Sequence, residues 1–225
     1  MNLSVKDAAR LLQVSDKTIY RWIKQELIPA YRLQGQHRFN RSELIEWATA
    51  RRMGLDSGAF AEPESAEAPL PSLIQALETG GITYRLHGSS RDEVLRELVA
   101  NLRLGEEVDR NYLLQVLIAR EELASTGIGD GIALPHPRNP VLAHLNQACV
   151  NLAFLETPVD FGALDGQPVR ILFTILSPTL RGHLQLLSKL GFALRDTGFF
   201  GALQREANRE EIFAALSRVK QRFIR

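Results

Sequence analysis

The chain has one cysteine, Cys149, in 225 residues. A lone thiol cannot close an internal disulfide, so a disulfide-stapled secreted scaffold is excluded and a reducing compartment fits. Cys149 lies in the apolar run Ala148 to Leu155, where it reads as a small core residue. No apolar run approaches the roughly 20 residues that span a bilayer, and the N-terminus lacks a basic-then-apolar leader pattern. These absences lead to the expectation of a soluble, cytoplasmic protein with no membrane partner. Internal repeats and low-complexity tracts are missing as well. A P-loop needs Gly-Lys-Ser/Thr, which does not occur, and the spacing of the five histidines is not that of a zinc site. No metal and no cofactor is therefore expected.

Charge of one sign is also lacking overall, since the net is +1. Its distribution is uneven. Residues 1–52 carry ten Lys/Arg against five Asp/Glu, residues 53–71 carry four acids and no base, and residues 72–225 carry seventeen of each sign. A basic module and a balanced one are thus joined by an acidic stretch rich in Ala, Glu and Pro, which has the composition of a flexible linker. Phe60 is its one bulky aromatic residue. The expected domains are 1–52, a linker over 53–71, and 72–225. The surplus positive charge of the first favours polyanions.

The most informative stretch is Ser125-Thr126-Gly127-Ile128-Gly129-Asp130-Gly131-Ile132-Ala133-Leu134-Pro135-His136-Pro137. It reads as a glycine-rich loop, a short buried strand over Ile132 to Leu134, and a histidine on backbone stiffened by two prolines. A core histidine in a turn explains these residues. So does a nucleophilic imidazole held at a strand end. With the preceding Arg120-Glu121-Glu122, the stretch closely resembles the active-site segment of EIIA domains of the phosphoenolpyruvate-dependent phosphotransferase system. The resemblance is to the mannitol/fructose and nitrogen-regulatory class, and it runs from about Leu70 to the C-terminus. It implies that His136 accepts a phosphoryl group from an HPr-like phosphocarrier. His183, in Leu180-Arg181-Gly182-His183-Leu184, matches a second family histidine, and Arg120 matches an arginine near the phosphohistidine. Ser125, Thr126, Gly127 and Gly129 would form the phosphate loop. Where the family has Gly after the active histidine, this chain has Pro137, which removes one backbone donor.

The first 52 residues read as a helix-turn-helix. Ser4-Val5-Lys6-Asp7 starts a helix with a capping-box pattern, and Ser15 caps a second helix over Asp16 to Glu26 that buries Ile19, Trp22 and Ile23. Leu27 to Leu33 and His37-Arg38-Phe39 form a hairpin around Gln34-Gly35-Gln36. A third helix follows Asn40-Arg41-Ser42-Glu43. This order, with Thr18-Ile19-Tyr20-Arg21-Trp22 and Gly35-Gln36-His37-Arg38-Phe39, resembles the winged helix-turn-helix of the excisionase and MerR-type families. The resemblance implies that Lys17, Thr18 and Arg21 meet double-stranded DNA in the major groove, with Arg32 and Arg38 on the backbone or minor groove.

In the remainder, helices over Ser72 to Thr79, Ser90 to Leu102, Tyr112 to Leu123, His183 to Leu194 and Glu210 to Phe223 alternate with strands over Ile82 to Leu86, Ala148 to Leu155 and Val169 to Leu176. A turn is expected at Thr157 to Phe161, and His87 and His144 are expected on the surface. The fold class is an α/β sandwich with a mixed sheet, plus the small N-terminal domain. The expected function is a transcription regulator whose DNA binding responds to phosphorylation of His136, a phosphoryl-transfer domain rather than a self-contained multiple-turnover enzyme. Two alternatives stand beside it: an EIIA-like interaction module that takes no phosphate, and a phosphocarrier whose N-terminal domain binds protein. Homodimerisation is open, because helix-turn-helix proteins read paired half-sites but no heptad repeat is present.

Overall fold

A computed structural model describes residues 2–25, 27–33, 36–51, 53, 71–137 and 145–223. Most of the acidic linker with Phe60, the Gln34-Gly35 turn and His144 lie outside the described residues, as does the side chain of Arg32. The chain divides into two compact units, Met1–Ala68 and Pro69–Arg225.

In the first unit a short strand, β1 (Asn2–Leu3), precedes helix α1 (Val5–Leu11), α2 (Asp16–Lys24), strands β2 (Tyr31–Leu33) and β3 (Gln36–Asn40), and α3 (Arg41–Ala50). Local side-chain chemistry fixes the helix starts. The Ser4 hydroxyl accepts the Asp7 amide while the Asp7 carboxylate accepts the Ser4 amide, and Ser15 Oγ accepts the Thr18 amide. The strands form a sheet in the order β1-β3-β2, antiparallel throughout. β2 is shorter than its sequence pattern suggests, because Pro29 has no amide to give a ladder. Ala8, Leu12, Ile19, Phe39, Leu44 and Ile45 form the core. Trp22 and Ile23 are half-buried rather than buried. The Trp22 ring meets Trp47 at 5.3 Å, Trp47 Nε1 donates to the Leu27 carbonyl at 2.5 Å, and the Arg51 guanidinium lies 4.6 Å over Trp47. The indoles thus close one side of the unit instead of filling its centre.

The second unit comprises α4 (Leu73–Gly80), β4 (Ile82–Leu86), α5 (Arg91–Asn101), α6 (Arg110–Leu123), β5 (Gly127–Gly129), β6 (Ile132–Ala133), β7 (Cys149–Val159), β8 (Val169–Leu176), α7 (Leu180–Ala193), α8 (Thr197–Gln204) and α9 (Arg209–Phe223). Its five strands lie in the order β4-β7-β8-β6-β5. β4 is parallel to β7 and β6 to β8, while β7–β8 and β5–β6 are antiparallel, which is a mixed sheet. β8 is buried almost throughout, as a central strand covered on both faces must be. Ala133, Cys149, Ala153, Leu172 and Leu176 pack with Val94, Leu98, Leu113 and Leu117 of α5 and α6, and Phe173 meets Phe199 of α8 at 6.5 Å.

In this unit three further expectations change. The first part of the glycine-rich loop is strand β5, since glycine lets a neighbouring segment lie against its backbone. The turn expected at Thr157 to Phe161 begins later, because β7 continues to Val159 through a register shift between Phe154 and Val159. Helix α8 was hidden by Gly198 and Gly201, and Asp196 starts it by accepting the Gly198 and Phe199 amides.

Both tryptophans belong to the first unit and the one thiol to the second, so each unit carries its own reporter. Burial pushes the Cys149 thiol up to about 11, which leaves roughly one thiolate in a thousand at pH 8. In a urea titration Cys149 is expected to resist a thiol reagent until the second unit unfolds, and rapid labelling of the native chain would contradict its place in the core. Ser4→Ala is expected to cost the first unit about 1 kcal/mol, read by tryptophan emission. The Ser4 hydroxyl, then its amide, hold the Asp7 carboxyl below its usual range. That contribution is present above about pH 4 and is lost as pH falls through the depressed value.

Candidate functional site

The site is built on the β5–β6 hairpin. Its tip runs through three consecutive left-handed residues, Gly129 (φ 90°), Asp130 (φ 52°) and Gly131 (φ 72°). The Asp165 carboxylate secures it, accepting the Asp130 amide at 2.8 Å and the Gln167 amide at 3.1 Å. The Gly131 carbonyl accepts the amides of Arg170 and Ile171 at 2.8 and 3.0 Å. At Gly127 an added Cβ would stand 2.7 Å from that of Ala163, so only glycine admits the neighbouring segment.

The residues expected to cradle phosphate have local partners. The Thr126 amide and hydroxyl both donate to Glu121, at 2.9 and 2.5 Å, with both residues buried. Ser125 Oγ accepts the Gly127 amide at 3.0 Å, and Gly127 and Gly129 are buried strand residues. Glu121 is thus the tie between α6 and the hairpin. Sequence reading missed it, because in Arg120-Glu121-Glu122 it looks like one more surface charge.

Beyond β6 the chain keeps a strand-like course. The Leu134 amide donates to Thr126, and the Pro135 carbonyl accepts the Ile175 amide at 3.2 Å. His136 is therefore delivered beside the end of β8, with Nδ1 2.7 Å from the Leu134 carbonyl. A carbonyl oxygen only accepts, so Nδ1 carries the hydrogen and a neutral ring keeps its lone pair on Nε2. β8 itself leads through Ser177-Pro178-Thr179 into α7. Thr179 Oγ1 accepts the Gly182 amide at 3.1 Å, and Ser177 Oγ donates to the Thr179 carbonyl at 3.0 Å. An added Cβ on Gly182 would lie 2.7 Å from Ser177 Oγ, so a larger residue one position before His183 would displace the Ser177 hydroxyl.

These two paths converge. The His136 and His183 rings lie 5.1 Å apart with a 41° tilt, and they are 3% and 2% exposed. The pair sits at the C-terminal end of the parallel strands β6 and β8, at the first turn of a 14-residue helix. That is the end of an α/β sheet where ligands bind, and the positive end of the helix favours an anion there. Arg120, half-buried in the last turn of α6, donates from Nη1 to the Ala124 carbonyl at 2.8 Å, just ahead of the hairpin. The structure thus brings the two histidines together and anchors Arg120 at the helix end.

In the first unit, α2 exposes Lys17, Arg21 and Lys24 on one stripe with Tyr20, which is 54% exposed. Thr18 is half-buried, and its hydroxyl shares a 2.9 Å hydrogen bond with Ser15 Oγ. Arg38 donates from Nη2 to Gln36 Oε1 at 2.6 Å, which holds its guanidinium along β3. Tyr20 was not among the expected contacts. Its ring meets His37 edge-on at 6.4 Å, joining the second helix to the hairpin.

Residues 3–52 match a family described as "Helix-turn-helix domain". The chain is similar to the nitrogen regulatory protein of Pseudomonas aeruginosa, 40% identical over 126 residues that make up 54% of this chain and 79% of the relative. It is also similar to the fructose-specific EIIA component of Haloferax volcanii, 38% identical over 92 residues, covering 40% of this chain and 58% of that protein. Among solved structures, the nitrogen regulatory protein IIA-Ntr of Neisseria meningitidis superimposes with a TM-score of 0.56 at 30% identity, covering 64% of this chain and 98% of that one. Residues 75–219 match the family described as "Phosphoenolpyruvate-dependent sugar phosphotransferase system, EIIA 2", and with that match extending over most of its length the chain belongs to this family.

Proposed function

We propose that this chain is a transcription regulator of the phosphotransferase system, in which His136 takes a phosphoryl group from an HPr-type phosphocarrier and the modified unit alters DNA binding by the first. The observation that carries the reading is the imidazole pair, with Nδ1 of His136 pinned by a carbonyl, in the same chain as a helix-turn-helix unit. Nε2 is the nucleophile. As its bond to phosphorus forms, the donor's N–P bond breaks and the donor imidazole leaves with that electron pair. The positive charge developing on the His136 ring faces the Leu134 oxygen. His183 and the first turn of α7 receive the phosphoryl oxygens, and Arg120 offsets their charge from the end of α6. In the first unit, α2 enters the major groove with Arg21 at a base edge and Lys17 and Thr18 at phosphate or a thymine methyl, while β2–β3 acts as the wing with Arg32 and Arg38. The added phosphate brings nearly two negative charges, enough to change how the unit docks.

A second reading is favoured by Pro137, which lacks the amide a phosphoryl oxygen would use. In it the second unit is an interaction module that takes no phosphate.

With enzyme I, HPr and labelled phosphoenolpyruvate, the wild type is expected to take up one phosphoryl group and His136→Ala none. Equal labelling of the two would reject the site. His183→Ala is expected to slow labelling about a hundredfold, and Pro137→Gly to speed it about tenfold by returning a donor. A wild type that folds but stays unlabelled would select the second reading.

In gel-shift titrations Arg21→Ala is expected to weaken binding to a cognate site by about 1–3 kcal/mol, while Lys17→Ala flattens the salt dependence. Phosphorylated and unphosphorylated protein are expected to differ in DNA affinity by about fivefold or more. Equal affinities would sever the link between the two units.

A further inference from the structure

Asn151 of β7 and Thr174 of β8 face each other in register within the five-stranded sheet. The neighbouring pairs on the same face, Cys149–Leu176 and Ala153–Leu172, belong to the core packed with α5 and α6. Two polar side chains are thus buried in an otherwise apolar layer. Asn151 Nδ2 donates to the Gly80 carbonyl at 3.0 Å and approaches the Gly81 carbonyl and Thr83 Oγ1 at 3.3 and 3.4 Å. This fixes the amide, because rotating it by half a turn would press Oδ1 against two carbonyl oxygens. Oδ1 therefore points away from α4 and β4. Neither Asn151 Oδ1 nor Thr174 Oγ1 has a hydrogen-bond partner among the described residues.

We infer that Asn151 Oδ1 and Thr174 Oγ1 together bind one internal water molecule. Four observations converge on that ligand. The two orphaned atoms belong to directly opposed residues, so a single molecule reaches both. They offer complementary chemistry: the amide oxygen only accepts, and the hydroxyl accepts or donates as its rotor turns. The residues flanking Asn151 on its face, Cys149 and Ala153, are small and fill less of that face than Leu172 and Leu176 beside Thr174. The surroundings are otherwise apolar, so each group left unmade would bear its full desolvation cost, whereas an ordered water costs little entropy and satisfies both. The site also has a position. The Ile175 amide, one residue on from Thr174, donates to the Pro135 carbonyl. The hydrated pair therefore lies one strand away from the backbone that carries His136, and it stiffens β8 where the imidazole-bearing segment leans on it.

The test uses the full chain and does not depend on phosphoryl transfer. In the isotope-labelled wild type, a cross-relaxation peak between water and the Asn151 side-chain amide or the Thr174 hydroxyl is expected. Thr174→Val keeps the shape and removes the hydroxyl. If water is bound it loses a partner, and the urea midpoint of the second unit, followed by Cys149 reactivity, falls. Thr174→Ser keeps the hydroxyl and is expected to keep the water peak. A Val variant with a midpoint unchanged or raised, together with a wild type lacking the peak, overturns the inference. Should Thr174→Val not fold, the presence or absence of the wild-type peak decides alone.

Discussion

The carbonyl of Leu134 orients the His136 ring. By holding a hydrogen on Nδ1 of His136 it chooses which nitrogen has a lone pair to offer, and it fixes the plane of the ring. That carbonyl is itself fixed. Its residue is tied to Thr126 by a backbone hydrogen bond, Thr126 to Glu121 through two more, and Glu121 to the end of α6. One imidazole is thus oriented by a relay of ordinary main-chain and side-chain bonds, each short and each buried.

The second element of the site depends on a different kind of constraint. His183 reaches His136 only because β6 and β8 run parallel, so that both chains leave the sheet at the same edge. A parallel pair needs a long crossover, and here β7 occupies part of it. Antiparallel pairing would have sent one histidine to the opposite edge. Thr179, whose hydroxyl accepts the Gly182 amide, then sets where α7 begins, and with it the height of His183 above the sheet. The sheet chooses the edge and the turn chooses the distance.

Much of the fold was legible because its signals are local. Ser4, Ser15, Ser90 and Asp109 each accept an amide of the first helical turn, as residues of that type before an apolar period should. The Val169 to Leu176 run is the buried strand it resembled. Other features rest on contacts distant in sequence. Nothing near Glu121 announces that it will be buried under Thr126, and nothing near Gly127 announces Ala163. Glycine was read for its freedom to turn. That holds at Gly129 and Gly131, but Gly127 is there for its lack of a side chain. The pairing of His136 with His183 came from family resemblance, since no periodicity links positions so far apart, and the structure supplies its geometry.

The sequence separation of the two histidines also has a temporal consequence. The helix-turn-helix unit has its own core, and a ribosome releases it while the second unit is still incomplete. His136 leaves the exit tunnel before His183 does, so for part of synthesis the imidazole lacks its partner. A nascent chain therefore completes its helix-turn-helix unit before the imidazole pair of the second unit can form.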